Sequence, residues 1–314
     1  MSLSANLRSR LKLPLIAAPM FLVSGPALVK AACRAGVIGS FPTANCRTVA
    51  ELDSWLADIT AGTAGAAPFC PNLIVHRSNP RLTDDLAAVL RAGAEMVITS
   101  VGSPEPVLKP LKDAGCLVLA DVASVRHAEK AVAAGVDGLV LLTAGAGGQT
   151  GWVNPFAFVR AVRKFWDGIV VMAGGMSDGQ AIAAAELLGC DLAYMGTKFI
   201  ATRESMAKDE YKALLVKSRL DDVLLTKAFT GLETNMLRPS IAAAGLDPDD
   251  LPQRGAIDIA KDINAAEREK PNAKRWKDIW SAGHSVSGVA DVPTVAELVE
   301  RTAREYASVQ VVKA

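Results

Sequence analysis

Three glycine-bearing loops carry the chemistry most visible in this sequence. Ala173, Gly174, Gly175, Met176, Ser177 and Asp178 follow one apolar run, and Met195, Gly196, Thr197, Lys198 and Phe199 close another. Glycine lets a backbone come close to a ligand, and a helical pattern follows each loop, so the N–H groups there suit a phosphate. The plainer alternative is that these glycines only make tight turns. The third loop runs from Thr143 to Trp152 and holds Gly145, Gly147, Gly148 and Gly151, with Gln149 among them. So many glycines are conformationally costly unless the backbone adopts positive φ or lies against something flat. Gln149 offers two N–H donors and one acceptor there.

The histidines are three: His76, His127 and His284. His76 ends the most polar strand terminus, after Asn72, and is a candidate for acid/base work or substrate binding; a structural histidine is the competing reading. His127 falls inside a helical pattern. His284 sits in a Gly/Ser loop from which it could reach a pocket rim. Met20, after Ala18 and Pro19, can lie against an aromatic ring system or simply fill the core. Asp121 closes the fifth apolar run, as an anchor behind a site or as a cap.

These loops need a scaffold, and the chain repeats one unit that supplies it. Short apolar runs at 15–18, 37–40, 72–75, 96–99, 117–120, 138–142, 169–173 and 192–195 are continuous rather than alternating, as in strands buried on both faces of a parallel sheet. Helical patterns at 27–35, 48–59, 81–91, 104–113, 124–133, 155–165 and 178–188 separate them. Several stop at a glycine (Gly36, Gly93, Gly115, Gly135, Gly189) that can take the left-handed conformation closing a helix. Eight such units predict an α/β fold, a (β/α)₈ TIM barrel, rather than a doubly wound sheet. The first run ends Ala17, Ala18, Pro19, Met20, without the glycine fingerprint of a dinucleotide fold. The barrel is expected over 1–220. A C-terminal segment over 221–314, helical at 256–269 and 294–307, packs on it without forming a clear second domain; a further helix is expected over 203–219.

Composition narrows the partners. With Lys+Arg 34 against Asp+Glu 33 the formal charge is +1, and no basic run marks a nucleic-acid surface. The cysteines are odd in number and scattered, with no C-x-x-C pair, which argues against disulfide or zinc frameworks and for a reducing, cytoplasmic setting. Arg8, Arg10 and Lys12 before the uncharged stretch 13–29 imitate a signal peptide, but Pro14, Pro19 and Pro26 interrupt it. The uncharged stretch 138–159 is broken by glycines, Asn154 and Pro155 and is not a membrane span. No metal set is expected. The partners expected are a small-molecule substrate and a co-substrate; a homo-oligomer is left open.

The strand ends, in this order, resemble the nitronate monooxygenase (formerly 2-nitropropane dioxygenase) family. The matching pieces are Pro14 to Met20, the Ala-Gly-Gly-x-x-Gly loop from Ala146 to Gly151, Ala173 to Met176, Met195 to Phe199, Gly231 to Ile241 and Trp280 to His284. The resemblance spans nearly the whole chain and implies noncovalent FMN. Ala18, Pro19 and Met20 would lie along the flavin ring and Asn72 beside the flavin or its ribityl chain. Gly147 and Gly148 would line the ring, and Gly174, Gly175, Gly196 and Thr197 would hold the phosphate, with Met195 in the same cofactor-binding motif. It implies a flavin oxidoreductase that oxidises alkyl nitronates with O₂. Related barrels instead use NAD(P)H to reduce a quinone or an enoyl thioester, and a flavin-binding protein with little turnover is a third reading. One departure matters: the family's loop carries a histidine where this chain has Gln149. Glutamine cannot accept a proton at working pH, but it can donate hydrogen bonds to an oxyanion. Gln149 and His76 are therefore the catalytic candidates.

Overall fold

The computed structural model describes residues 3–251 and 278–309; the helix expected over 256–269 lies outside them. In chain order the strands are β1 (Leu15–Ala17), β2 (Ile38–Pro42), β3 (Phe69–Ile74), β4 (Met96–Ser100), β5 (Leu117–Val122), β6 (Gly138–Leu142), the short β7 (Gly148–Gln149), β8 (Ile169–Ala173) and β9 (Leu192–Met195), followed by β10 (Val223–Thr226) and β11 (Thr234–Leu237). Strands β1 to β6, β8 and β9 close into one parallel barrel in that order, with β9 pairing back onto β1. This is the (β/α)₈ barrel expected from the sequence.

Among the described residues the helices are α1 (Ala5–Ser9), α2 (Pro26–Arg34), α3 (Val49–Gly62), α4 (Leu82–Arg91), α5 (Glu105–Asp113), α6 (Val125–Ala134), α7 (Pro155–Val162), α8 (Gly179–Leu188), α9 (Thr197–Ile200), α10 (Asp209–Lys217), α11 (Arg238–Ala243) and α12 (Val295–Ala307). Sequence explains their limits. Ser124, Asn154 and Asp178 cap α6, α7 and α8 through their side-chain oxygens, and Gly135 and Gly189 end α6 and α8 at φ +96° and +107°. Gly36, Gly93 and Gly115, expected at helix ends, also have positive φ.

Two apolar layers hold the barrel. Outward-facing residues such as Leu15, Val97, Val118, Leu139 and Val170 pack against the helices, while Ile16, Ile38, Met96, Ile98, Leu119, Val140 and Val171 fill the interior. Helix α1 closes the lower end, placing Leu3 and Leu7 in the interior layer. The upper interior layer is different. Alternation along each strand turns Asn72, Ser100, Asp121 and Tyr194 inward above the aliphatic filling.

The segment expected over 221–314 contributes to the barrel's own outer ring. Helix α12 packs between α8 and α2 and so completes the outer ring as the eighth helix. The backbone of Gly179 lies directly against that of Thr302 and Tyr306, and its N–H donates to Glu305. The chain between β9 and α12 is thus an insertion separating the eighth strand from its helix. Nor is the described part of that insertion only helical. Strands β10 and β11 form an antiparallel hairpin, and β7 from the glycine-rich loop adds to its edge. The helix expected over 203–219 is only Asp209–Lys217. Upstream, Thr202 and Ser205 hydroxyls take the Phe199 and Ile200 carbonyls and turn the chain instead. Among the described residues no helix is long and apolar enough to cross a membrane.

Candidate active site

A cavity of about 370 Å³ opens at the C-terminal ends of the barrel strands, where barrels carry their sites. Ala18, Pro19, Met20, Asn72, Gly147, Gly148, Gln149, Gly174, Gly175, Gly196 and Thr197 all line it. The candidates from separate strand ends therefore converge on one space.

Each loop is fixed by identifiable bonds. The loop after β1 is held by Asn45, whose Oδ1 accepts from the Leu22 N–H at 2.8 Å and whose Nδ2 donates to the carbonyls of Met20 (3.1 Å) and Ser24 (2.8 Å). The loop after β6 is held from inside by Thr150 Oγ1 donating to the Thr143 carbonyl at 2.7 Å. From outside, Asn235 Nδ2 donates to the Ala146 carbonyl, also at 2.7 Å. The pairing of β7 with β11 sets Gln149 opposite Thr234 and leaves it half-buried against the cavity. After β8, Gly174 and Gly175 have φ +114° and +75°; a Cβ on Gly174 would lie 2.5 Å from Thr143 Oγ1, whereas one on Gly175 would meet nothing within 4 Å. Gly175 thus presents bare backbone to open space beside the start of α8. Thr197 Oγ1 accepts from the Gly283 N–H at 2.9 Å, which leaves its own proton free to donate.

Two expected residues fall elsewhere. Met195 is buried among the residues between barrel and helices, because its neighbours Tyr194 and Gly196 take the inward positions and alternation turns it out; its carbonyl accepts from the Ala18 N–H at 2.9 Å. His76 does not line the cavity, and its Nδ1 lies 2.7 Å from Ser78 Oγ within its own turn. His284 does not reach the pocket rim that its loop suggests. It packs behind the glycine loop against Gly145 and donates its backbone N–H to the Gly145 carbonyl at 2.9 Å. Among the described residues no histidine lines the cavity.

Other lining residues lie outside the glycine loops. Asp121 and Tyr194 rise from the barrel floor, and Asp121 Oδ1 is buried without a hydrogen-bond partner. Burial pushes the Asp121 carboxyl up to about 7, and burial together with Asp121 pushes the Tyr194 phenol well above its ordinary value. Asn72 Nδ2 donates to Ser100 Oγ at 3.1 Å beside them. From the insertion come Met206, Lys208, Tyr211 and Trp280, with Tyr211 stacked on Trp280 at 5.0 Å and its hydroxyl donating to the Ser281 carbonyl. This outer wall is mainly apolar. All five cysteines are free and buried, and none lines the cavity.

Backbone strain gathers here as well. Leu22 (φ +59°) and Val101 (φ +60°) are the non-glycine residues at positive φ among those described, and both line the cavity. Such a conformation in a β-branched residue costs about 1–3 kcal/mol and persists only where its surroundings impose it. Val101→Gly should therefore leave the unfolding free energy of the apoprotein within about 1 kcal/mol of the original, since strain relief offsets the lost side chain. Val97→Gly, in the buried centre of β4, should cost several times that. Urea denaturation of both variants checks the contrast; equal losses would show that Val101 is not strained.

A closed parallel barrel with glycine loops at its seventh and eighth strand ends and a cavity over its mouth has the build of a phosphate-binding barrel enzyme, and the family it matches makes it a flavin-dependent oxidoreductase. Residues 79–305 match the family model described as nitronate monooxygenase, and the chain belongs to that family. A nitronate monooxygenase of Paraburkholderia phytofirmans is 30% identical, over 93% of this chain and 92% of its own length. A 5-hydroxy-7a-methyl-1-oxo-octahydro-1H-indene-4-carboxyl-CoA dehydrogenase of Rhodococcus jostii is 26% identical, over 88% and 76%. Among solved structures, a nitroalkane oxidase from Streptomyces ansochromogenes superposes with a TM-score of 0.78 at 25% identity, covering 96% of this chain and 98% of that one. FabK from Thermotoga maritima gives 0.79 at 24% identity, over 96% and 94%, a likeness of fold.

Proposed function

We propose that this chain binds FMN and oxidises alkyl nitronates with O₂. The observation that carries this reading is Gln149 facing a cavity lined, among the described residues, by no histidine. The residues present fit the cofactor: Gly175 offers backbone that a Cβ would cover, Gly148 likewise has open space where a side chain would start, and the cavity floor holds a buried polar atom without a partner. Gly174, Gly175, Gly196 and Thr197 would hold the phosphate, Ala18 to Met20, Gly147 and Gly148 the ring, and Asn72 the flavin or ribityl chain. Bound there, the flavin supplies electron acceptance from the substrate and delivery to O₂.

The chain's own groups set the substrate. A nitronate is already deprotonated, so its oxidation needs no base for C–H removal, whereas a neutral nitroalkane needs one. Gln149 donates to the nitronate oxygens and cannot take a carbon-bound proton. Met206, Tyr211 and Trp280 give the outer wall an apolar surface that accepts the alkyl part and excludes water.

Anaerobic mixing tests the reading. An alkyl nitronate should bleach the bound flavin rapidly, the corresponding neutral nitroalkane on the order of 100-fold more slowly, as befits Gln149, which cannot act as a general base, in the loop where the family carries a histidine. Bleaching by NADH or NADPH but not by nitronate would point instead to a reductase acting on a quinone or thioester, and no bleaching by any of them to a flavin-binding protein with little turnover.

A further inference from the structure

The nitronate reading leaves the most unusual group in the cavity without a task. Asp121 ends the inward face of β5, above Leu117 and Leu119, and its Oδ1 has no hydrogen-bond partner although it is buried. A buried polar atom left unpaired costs about 1–3 kcal/mol, and the side chain that carries it lines the cavity, where a ligand group can engage the carboxyl. We propose that Asp121 acts as a neutral acid that donates a hydrogen bond from the barrel side to an acceptor on the bound flavin, and that losing this proton weakens the hold on the cofactor. This rests on the FMN reading and names a cofactor-binding group outside the motifs that led to it.

The surroundings favour the neutral acid. Asp121 is faced by Tyr194 from β9 and Cys70 from β3, and burial keeps both of these uncharged through neutral pH. The flanking strands β4 and β6 contain no charged residue. Among the described residues the cation lining the cavity is Lys208, which is exposed and paired with Asp278 at 3.1 Å. With no cation beside it to stabilise a carboxylate, burial alone raises the carboxyl to about 7. Because the group is raised in the folded protein, the donor is present below that pH and is lost as pH rises through it. Once ionised, Asp121 would set a lone pair and a negative charge against the acceptor it had served.

Flavin affinity of the full-length apoprotein, followed by quenching of FMN fluorescence, reads this directly. The dissociation constant of the wild type should rise about tenfold between about pH 6 and about pH 8.5, the loss expected for one hydrogen bond exchanged for a buried unpaired charge. Asp121→Asn keeps an N–H donor without the ionisation and should bind with an affinity that changes less than about twofold over that range. Asp121→Ala should bind about tenfold more weakly than wild type at about pH 6, and its thermal melting as apoprotein shows whether it is folded. The inference is overturned if Asp121→Asn keeps the wild-type pH profile, or if wild-type binding tightens as pH rises, the mark of a carboxylate accepting a bond. Failure of the wild type to take up FMN at any pH would overturn the proposed function and this inference together, whereas uptake with an unchanged profile would overturn this inference alone.

Discussion

Gly175→Asp should bind FMN at least about 100-fold more weakly than the wild type, while Gly175→Asn should stay within about tenfold, with both proteins folded. The position is suited to this comparison. Its φ of +75° is one that aspartate and asparagine tolerate better than other side chains. A Cβ there meets nothing within 4 Å, so neither variant forces a clash. The loop around it stays pinned, because Asp178 Oδ1 caps α8 through the Ala181 N–H at 2.8 Å and Thr143 Oγ1 donates to the Ala173 carbonyl at 2.7 Å. The two variants therefore differ in one charge. If the phosphate sits among the amides after β8, a carboxylate about 4 Å from it costs about 4 kcal/mol at an effective dielectric near 20, nearly three decades in affinity. Part of that loss should return as salt is raised. Fluorescence titration of the two apoproteins makes the measurement. Equal losses for aspartate and asparagine would mean that the phosphate is not bound at this loop.

How far the sequence reaches depends on how local the cause is. The eight barrel strands are legible because burial on both faces makes each a continuous apolar run, and the runs at 138–142, 169–173 and 192–195 coincide with β6, β8 and β9. The helix stops are legible because a single residue type carries the conformation, as at Gly36 or Gly189. The sheet of β10, β11 and β7 is not. Its strands are two to four residues long, β10 is only partly buried, and Gln149 is paired across the chain with Thr234. No local period announces such a pairing. The role of α12 is hidden for the same reason: its amphipathic pattern is plain, but nothing nearby in the chain says that it sits beside α2.

At the site, the loops are readable and the inward faces are not. Glycine spacing leads to the right loops, yet within Tyr194, Met195 and Gly196 a shift of one residue decides which side chain faces the cavity. The motif draws the eye to Met195, and the pleat assigns the place to Tyr194 and Gly196. Histidine stands out in a sequence by its chemistry alone, and both candidates are taken up by nearby groups, His76 by Ser78 and His284 by Gly145. Asp121 needs the opposite emphasis. Counting by twos from Leu117 and Leu119 along β5 turns it inward, a signal present in the sequence but without force until the strand's start is known.

Gln149 carries the second large effect. Its backbone on β7 is fixed from both sides, by the β11 pairing and by Asn235 holding the Ala146 carbonyl, and the residue lines the cavity. A positioned donor of this kind, aimed at an oxygen that bears negative charge, is worth on the order of 100-fold to 1,000-fold in rate. Gln149→Ala should accordingly lower kcat/KM for an alkyl nitronate by about 100-fold with FMN affinity changed by less than about threefold, since in the proposed binding mode the glycines before it, and not this side chain, would carry the ring. Gln149→His asks a different question. An imidazole at this position restores a group that accepts a proton near neutral pH, so oxidation of the neutral nitroalkane should rise by at least about tenfold and should grow with pH as the ring loses its proton. The two substrates then respond in opposite directions, and neither a general loosening of the loop nor a loss of flavin can produce that crossing. Oxygen uptake with both substrates and all three proteins measures it. Were the alanine variant to keep its nitronate rate, the anion would have to be held by some other donor of the cavity, and the reading built on Gln149 would fail.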